Sequence, residues 1–417
     1  LQEESEEESL TDSPEALLIA TMDTKGHEAI YISTCLNQAG IPVQIIDAGI
    51  RGESPAPVKI NRKEVAIAGG MSLSEVQNIG HEGKALEVMT RGAIACAQDL
   101  YRQNQIQGII GLGGSMGTTL ATGVMRSFPI GVPKVMISTM ASRDTRAFVG
   151  TKDILMLHSV CDLSGLNRLT RKILRNGAKA LAGMLQPVTE LDVKTTGSLV
   201  FLSTLGTTEA CAQRVRRTLE EKGNEVVIFH TVGSGGSAME ELIEGEKVSA
   251  LVDLSLHEIA DNLFGGDYDA GPTRGKSALR LGLPTILVPG NIDFLVTGPL
   301  ETARRQFPGR PYHVHNSAIT VVRSTHEEIV ILARTLARLC NEASGPVKML
   351  IPMDGFSAFD SKEGPLFDPD APRLFAKTVQ KQLNDQRSLR LLPCHINDPE
   401  FSLAILEDIG HLQQLHW

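Results

Sequence analysis

"GIIGLGGSMGTTLATG", residues 108–123, decides how this chain folds. A short apolar run breaks into a glycine-dense loop, and the loop runs into residues with helical spacing. Strand, loop and helix in that order make the repeating unit of a parallel α/β sheet. In such sheets ligands gather at the carboxyl ends of the strands, where this loop lies. A helix N-terminus there offers unpaired N–H groups and the positive end of the dipole. Gly113, Gly114 and Gly117 let the backbone approach an anion, and Ser115, Thr118 and Thr119 add hydroxyl donors. The loop matches neither standard phosphate fingerprint. No Lys follows Gly117, and Met116 stands where the third glycine of G-x-G-x-x-G would be. On the loop alone, a phosphate cradle and a tight turn both stay open.

The same pattern extends outward. "ALLIATMDTKGHEAIYISTCLNQAGIPVQIIDAG" (16–49) reads as strand, loop, helix over Gly26–Gln38, and strand. Residues 51–80 read as an irregular excursion and 82–104 as a long helix. A further strand is expected over Lys134–Thr139 and helix over 163–185. The polar stretch 186–197 lacks apolar periodicity and reads as a linker. Then the pattern restarts: 198–236 repeats the order of elements in 16–52, and 248–261 and 284–294 parallel the strands that follow. Two more strand candidates lie at 347–353 and 389–397. The expected architecture is α/β, with two Rossmann-like domains of mainly parallel sheets related by internal duplication. The competing explanation is that any two doubly wound domains look alike. The expected divisions are an acidic tail over 1–15, an N-terminal nucleotide-binding domain over 16–190 and a C-terminal domain over 191–417.

The composition is compatible with large buried cores: 417 residues, 42% of them hydrophobic. Aromatic residues are only 4%, and the net charge is -9. The first opposes stacking platforms for single-stranded nucleic acid, and the second opposes a general nucleic-acid or membrane-surface partner. The six cysteines are scattered without a CxxC pair and read as reduced thiols of a cytoplasmic protein. No apolar run reaches membrane-spanning length.

Several other residues carry chemistry. Lys25 in "TMDTKGHE" (21–28) is placed to neutralise phosphate. Asp23 is either a carboxylate for Mg²⁺ through water or the N-cap of the next helix. "TVGSGGSAMEEL" (231–242) is a second glycine loop, so Gly233, Gly235 and Gly236 mark either a second anion site or a plain turn. Acid–base candidates stand near other strand ends: His257 in "VDLSLHEIADN", His315 in "HVHN", and His395 and Asp398 in "LLPCHINDPEF".

Together "DTKG", "GIIGLGGSMGTT", "PIGVPKVMISTMAS", "FHTVGSGGSAMEELI", "HVHN" and "HINDPEF" resemble one family over nearly the whole chain. It includes the N-terminal inhibitory region of the tomato mosaic virus resistance protein and is otherwise mostly microbial. The resemblance implies ATP binding with Mg²⁺, a homodimer and room for a protein partner. It carries phosphate binding to Gly113, Gly114, Ser115, Gly117, Thr118 and Thr119, with Asp23, Thr24 and Lys25 nearby. This chain departs from the family pattern at Met116, and at Leu256 and His257. The expectation is therefore an ATP-binding protein. The alternative is a metabolic enzyme, ATP-dependent or acting on a phosphorylated or carboxylated metabolite, with its active site in a cleft between the domains.

Overall fold

The computed structural model describes residues 14–186 and 197–414. Contacts divide the chain into two units, 1–191 and 192–417. The expected acidic tail up to residue 13, and the expected linker from 187 to 196, lie outside the described residues.

Unit 1 is built on five parallel strands: β1 (Ala16–Ala20), β2 (Val43–Asp47), β3 (Gly108–Gly113), β4 (Lys134–Ser138) and β5 (Leu155–His158). Their order is β2-β1-β3-β4-β5. The apolar runs in β1, β3 and β4 are unbroken because helices cover both faces. Leu17 and Ile19 face a core shared with Val88, Met89, Leu120 and Val124, on helices Glu82–Arg102 and Ser115–Arg126. Leu18 faces the other core with Ile32, Leu36, Ile173 and Leu174, from helices Met22–Gln38 and Arg168–Met184. The strand order reverses between β1 and β3, which makes the loops after these two strands the walls of a crevice.

Three local expectations change. The first helix begins at Met22 rather than Gly26, with a non-helical break at Lys25 (φ -124°, ψ 15°). The stretch read as irregular holds two short helices, Arg62–Ala68 and Leu73–Gln77. Each opens with a reciprocal capping box, Asn61 with Glu64 and Ser72 with Glu75. A Cβ on Gly92 would stand 1.8 Å from the Val65 carbonyl oxygen, so glycine lets the long helix lie against the first of them. Finally, β5 was not expected. It is an edge strand whose residues are only partly buried, so its apolar signal is weak.

Unit 2 holds six parallel strands: β6 (Leu199–Thr204), β7 (Glu225–His230), β8 (Val248–Ser255), β9 (Thr285–Gly290), β13 (Val347–Pro352) and β14 (Leu389–Leu392). A separate antiparallel sheet between β9 and β13 in sequence comprises β10 (Phe294–Thr297), β11 (Tyr312–Val314) and β12 (Thr320–Arg323). The large sheet runs β14-β13-β9-β8-β6-β7. Counted within its own unit, its first five strands follow the order seen in unit 1. A shared order is general to doubly wound sheets and does not by itself make one half a copy of the other. No helix among the described residues is long and apolar enough to cross a membrane.

Candidate functional site

A cavity of about 590 Å³ opens in unit 1 at the carboxyl ends of β1, β2 and β3. The segment after β1 contributes Thr21, Asp23, Thr24 and Lys25. The segment after β2 contributes Ala48, Ile50 and Arg51, and the end of β3 and the loop beyond it contribute Gly113–Gly117. The remaining wall is Val76, Gln77, Gly80, His81, Glu82, Ala85 and Leu86. The lining thus combines backbone, charged and polar groups with the apolar side chains of Ile50, Val76, Ala85 and Leu86.

The glycine loop presents a bare helix N-terminus to this space. Gly114 is the N-cap of helix Ser115–Arg126, in extended conformation and with no side-chain cap. Among the described residues no acceptor meets the N–H groups of Ser115, Met116 and Gly117. Such a turn is a ready anion site. A Cβ on Gly113 would stand 2.7 Å from the Gly117 Cα, so the loop folds on itself only with glycine there. At Gly114 a Cβ would meet only the Thr139 hydroxyl, at 3.8 Å.

The expected residues divide. Asp23, Thr24, Lys25, Gly113, Gly114, Ser115 and Gly117 come together on the cavity. Thr118 is buried, with its hydroxyl 2.6 Å from that of Ser138, so its side chain faces the core and not a ligand. The Thr119 hydroxyl donates to the Ser115 carbonyl at 2.9 Å and does not line the cavity. Lys25 donates to the Leu163 carbonyl. Asp23 is neither an N-cap, which is Thr21, nor an open carboxylate. Its Oδ2 accepts the Arg51 N–H at 2.9 Å and lies 3.8 Å from the Arg62 guanidinium. Arg62 in turn pairs with Asp47 at 2.7–2.8 Å. In dinucleotide sites a carboxylate after the second strand meets the ribose. Here Asp47 is buried against Arg62, which does not suit that mode.

Sequence reasoning missed Arg51 and the wall from residues 76 to 86. The two capping boxes between 61 and 75 were the available signal, since each marks a helix start inside the supposed excursion.

In unit 2 the second glycine loop is already filled. Gly233, at φ +88°, precedes helix Ser234–Gly245. Oε1 of the buried Glu258 accepts the N–H groups of Gly233 and Gly236 at 2.7 and 3.1 Å. Its Oε2 accepts from Arg274 Nε at 2.7 Å, and the same guanidinium holds Asp253 at 2.6 and 2.7 Å. A Cβ on Gly236 would fall 1.8 Å from the Glu258 carboxylate, and one on Gly235 1.8 Å from the His230 carbonyl oxygen. Gly233, Gly235 and Gly236 thus serve an internal anion and close packing, which corrects their assignment to a ligand.

The acid–base candidates do not form one site. His257 is fully buried, bonded to the Thr231 carbonyl at 2.6 Å and packed beside Tyr268 and Phe294. Burial pushes its pKa down to about 4, so it is a neutral core residue. His395 accepts the Asn397 N–H on Nδ1 (3.1 Å), which leaves Nε2 to donate to the Ser357 carbonyl (2.9 Å). Asp398 accepts the His395 N–H at 2.7 Å. His315 is exposed just past β11, beside Phe359. Among the described residues no three His, Cys, Asp or Glu converge as a metal site.

The family described as "Uncharacterised protein family (UPF0261)" matches through its N-terminal domain over residues 14–190 and through its C-terminal domain over 198–413. A UPF0261 protein of Clostridium tetani is 35% identical, covering 95% of this chain and 98% of its own. The ToMV resistance protein Tm-1 of Solanum lycopersicum is 33% identical over 78% of this chain and 44% of its own length. The ToMV susceptible protein tm-1 of the same plant is 29% identical over 95% and 55%. Among solved structures, a Methanocaldococcus jannaschii UDP-GlcNAc 2-epimerase covers 66% of this chain and 83% of its own at 11% identity. Its TM-score of 0.20 is too low to inform the site.

Proposed function

The chain belongs to the UPF0261 family, and we propose that unit 1 binds ATP in the cavity at the ends of β1, β2 and β3. The observation that carries this reading is the uncapped first turn of helix Ser115–Arg126, opening on a cavity that Lys25 and Arg51 also line. A backbone that leaves three N–H groups unmet beside two cations suits a phosphate chain. The apolar wall of Ile50, Val76, Ala85 and Leu86 suits a planar base, and the volume lies in the range of small-molecule sites. Mg²⁺ enters this reading as counter-ion of the phosphates, completing its shell with water. Asp23 is engaged with Arg51 and is not assigned to it.

Titration calorimetry with ATP, with and without Mg²⁺, on the wild type and Gly114→Val tests the proposal. The fold has room for a side chain at residue 114, so this variant obstructs the N-terminus without unfolding the loop. We expect saturable ATP binding by the wild type and at least a tenfold loss, about 1.4 kcal/mol, in Gly114→Val. Equal binding by both proteins would remove the phosphates from this loop. A wild type that takes inorganic phosphate but not ATP would make the loop a grip for a phosphorylated metabolite instead.

A further inference from the structure

The segment after β2 has an arrangement that neither packing nor the sequence pattern demands. Consecutive backbone groups are each held by a side chain from another element. Gln77 donates to the Ile50 carbonyl at 2.7 Å. Asp23 accepts the Arg51 N–H at 2.9 Å. Arg62 donates to the carbonyls of Arg51 and, at 2.8 Å, of Gly52. Asp23 and Arg62 are themselves nearly buried, with side chains 9% exposed, and Arg62 is anchored on Asp47. The side chain at the centre is treated differently. Arg51 is exposed, lines the cavity, and its guanidinium has no acceptor among the described residues.

Fixing the backbone of an exposed arginine with buried charges, while leaving its head group unpaired, lowers the ordering cost of a ligand contact. We propose that Arg51 clamps the outer phosphates of a polyphosphate ligand, and that Asp23 is the positioning residue that aims it. The inference rests on the nucleotide reading of the cavity and deepens it. The helix N-terminus and Lys25 offer charge enough for one phosphate. A planar, permanently charged guanidinium adds a bidentate donor for a second. The site thereby separates nucleoside triphosphates and diphosphates from monophosphates, and Asp23 acts without touching the metal.

The test is calorimetric titration of ATP and AMP, with and without Mg²⁺, into wild type, Arg51→Gln, Arg51→Lys, Asp23→Asn and the Arg51→Gln/Asp23→Asn double variant. Thermal melts control for folding. Arg51→Gln should weaken ATP at least tenfold and AMP less than twofold, with Arg51→Lys between it and the wild type. Asp23→Asn should weaken ATP by a factor that Mg²⁺ does not change. The double variant should be no weaker than Arg51→Gln alone, because Asp23 works through Arg51. Wild-type affinity for ATP in Arg51→Gln, or equal losses for ATP and AMP, would overturn the clamp and leave the nucleotide reading intact. An Asp23→Asn defect seen only with Mg²⁺ would overturn the positioning role. A wild type that binds no ATP would overturn both readings.

Discussion

His257 shows how far a residue's surroundings override its type. The sequence places it beside a strand end, where acid–base groups often stand. The structure buries it, and burial holds its pKa near 4 against 6.5 for an ordinary histidine. The folded state therefore refuses a proton that the unfolded chain accepts. The stability that follows is complete above pH 6.5 and is lost as the pH falls toward 4. Between pH 7 and pH 5 the loss is about 2 kcal/mol from this residue. Asp360 works in the opposite sense. Burial, reinforced by Asp293, pushes its pKa up to about 7, so its contribution is full below 3.8 and fades as the pH rises through 7. Urea unfolding at pH 7 and pH 5 separates the two. His257→Gln should lose less stability on acidification than the wild type. Identical slopes would mean that His257 is not the buried neutral group described.

At the scale of elements, Arg274 joins three of them: β8 through Asp253, helix His257–Phe264 through Glu258, and helix Ser234–Gly245 through Glu240 at 3.5 Å. Removing it leaves buried carboxylates without compensation. Arg274→Met should cost about 3–5 kcal/mol in chemical denaturation, and a loss under about 1 kcal/mol would show that the network does not bear on stability. Most elements were legible in sequence because both parallel sheets are buried on two faces, so the apolar run of β1 and the apolar centres of β3, β4 and β8 stand out. The exceptions have physical reasons. Leu155–His158 lies at an edge, half exposed, and lacks that run. Helix Met22–Gln38 starts early because its first turn is bonded to Asp47, a partner 25 residues away that local spacing does not reveal. The glycine loop after β3 was readable as a candidate anion site. That the loop after β7 is plugged was not, since the plug is Glu258, from a different strand end.

Across the whole molecule, the two units share a strand order but differ at their strand-end loops. Unit 1 leaves a helix N-terminus bare beside a cavity. Unit 2 spends its glycine-loop amides on its own carboxylate. If unit 1 binds the nucleotide as proposed, one nucleotide per chain is expected, and a titration that saturates at two would contradict that count.

Where ATP sits on the chain is tested most directly by amide hydrogen exchange of the intact chain with and without saturating Mg²⁺–ATP. Binding in the unit 1 cavity should slow exchange at 113–118, 21–25 and 50–52 and leave residues 231–237 unchanged. Protection centred on 231–237, or none at the loop after β3 while ATP is bound, would contradict it.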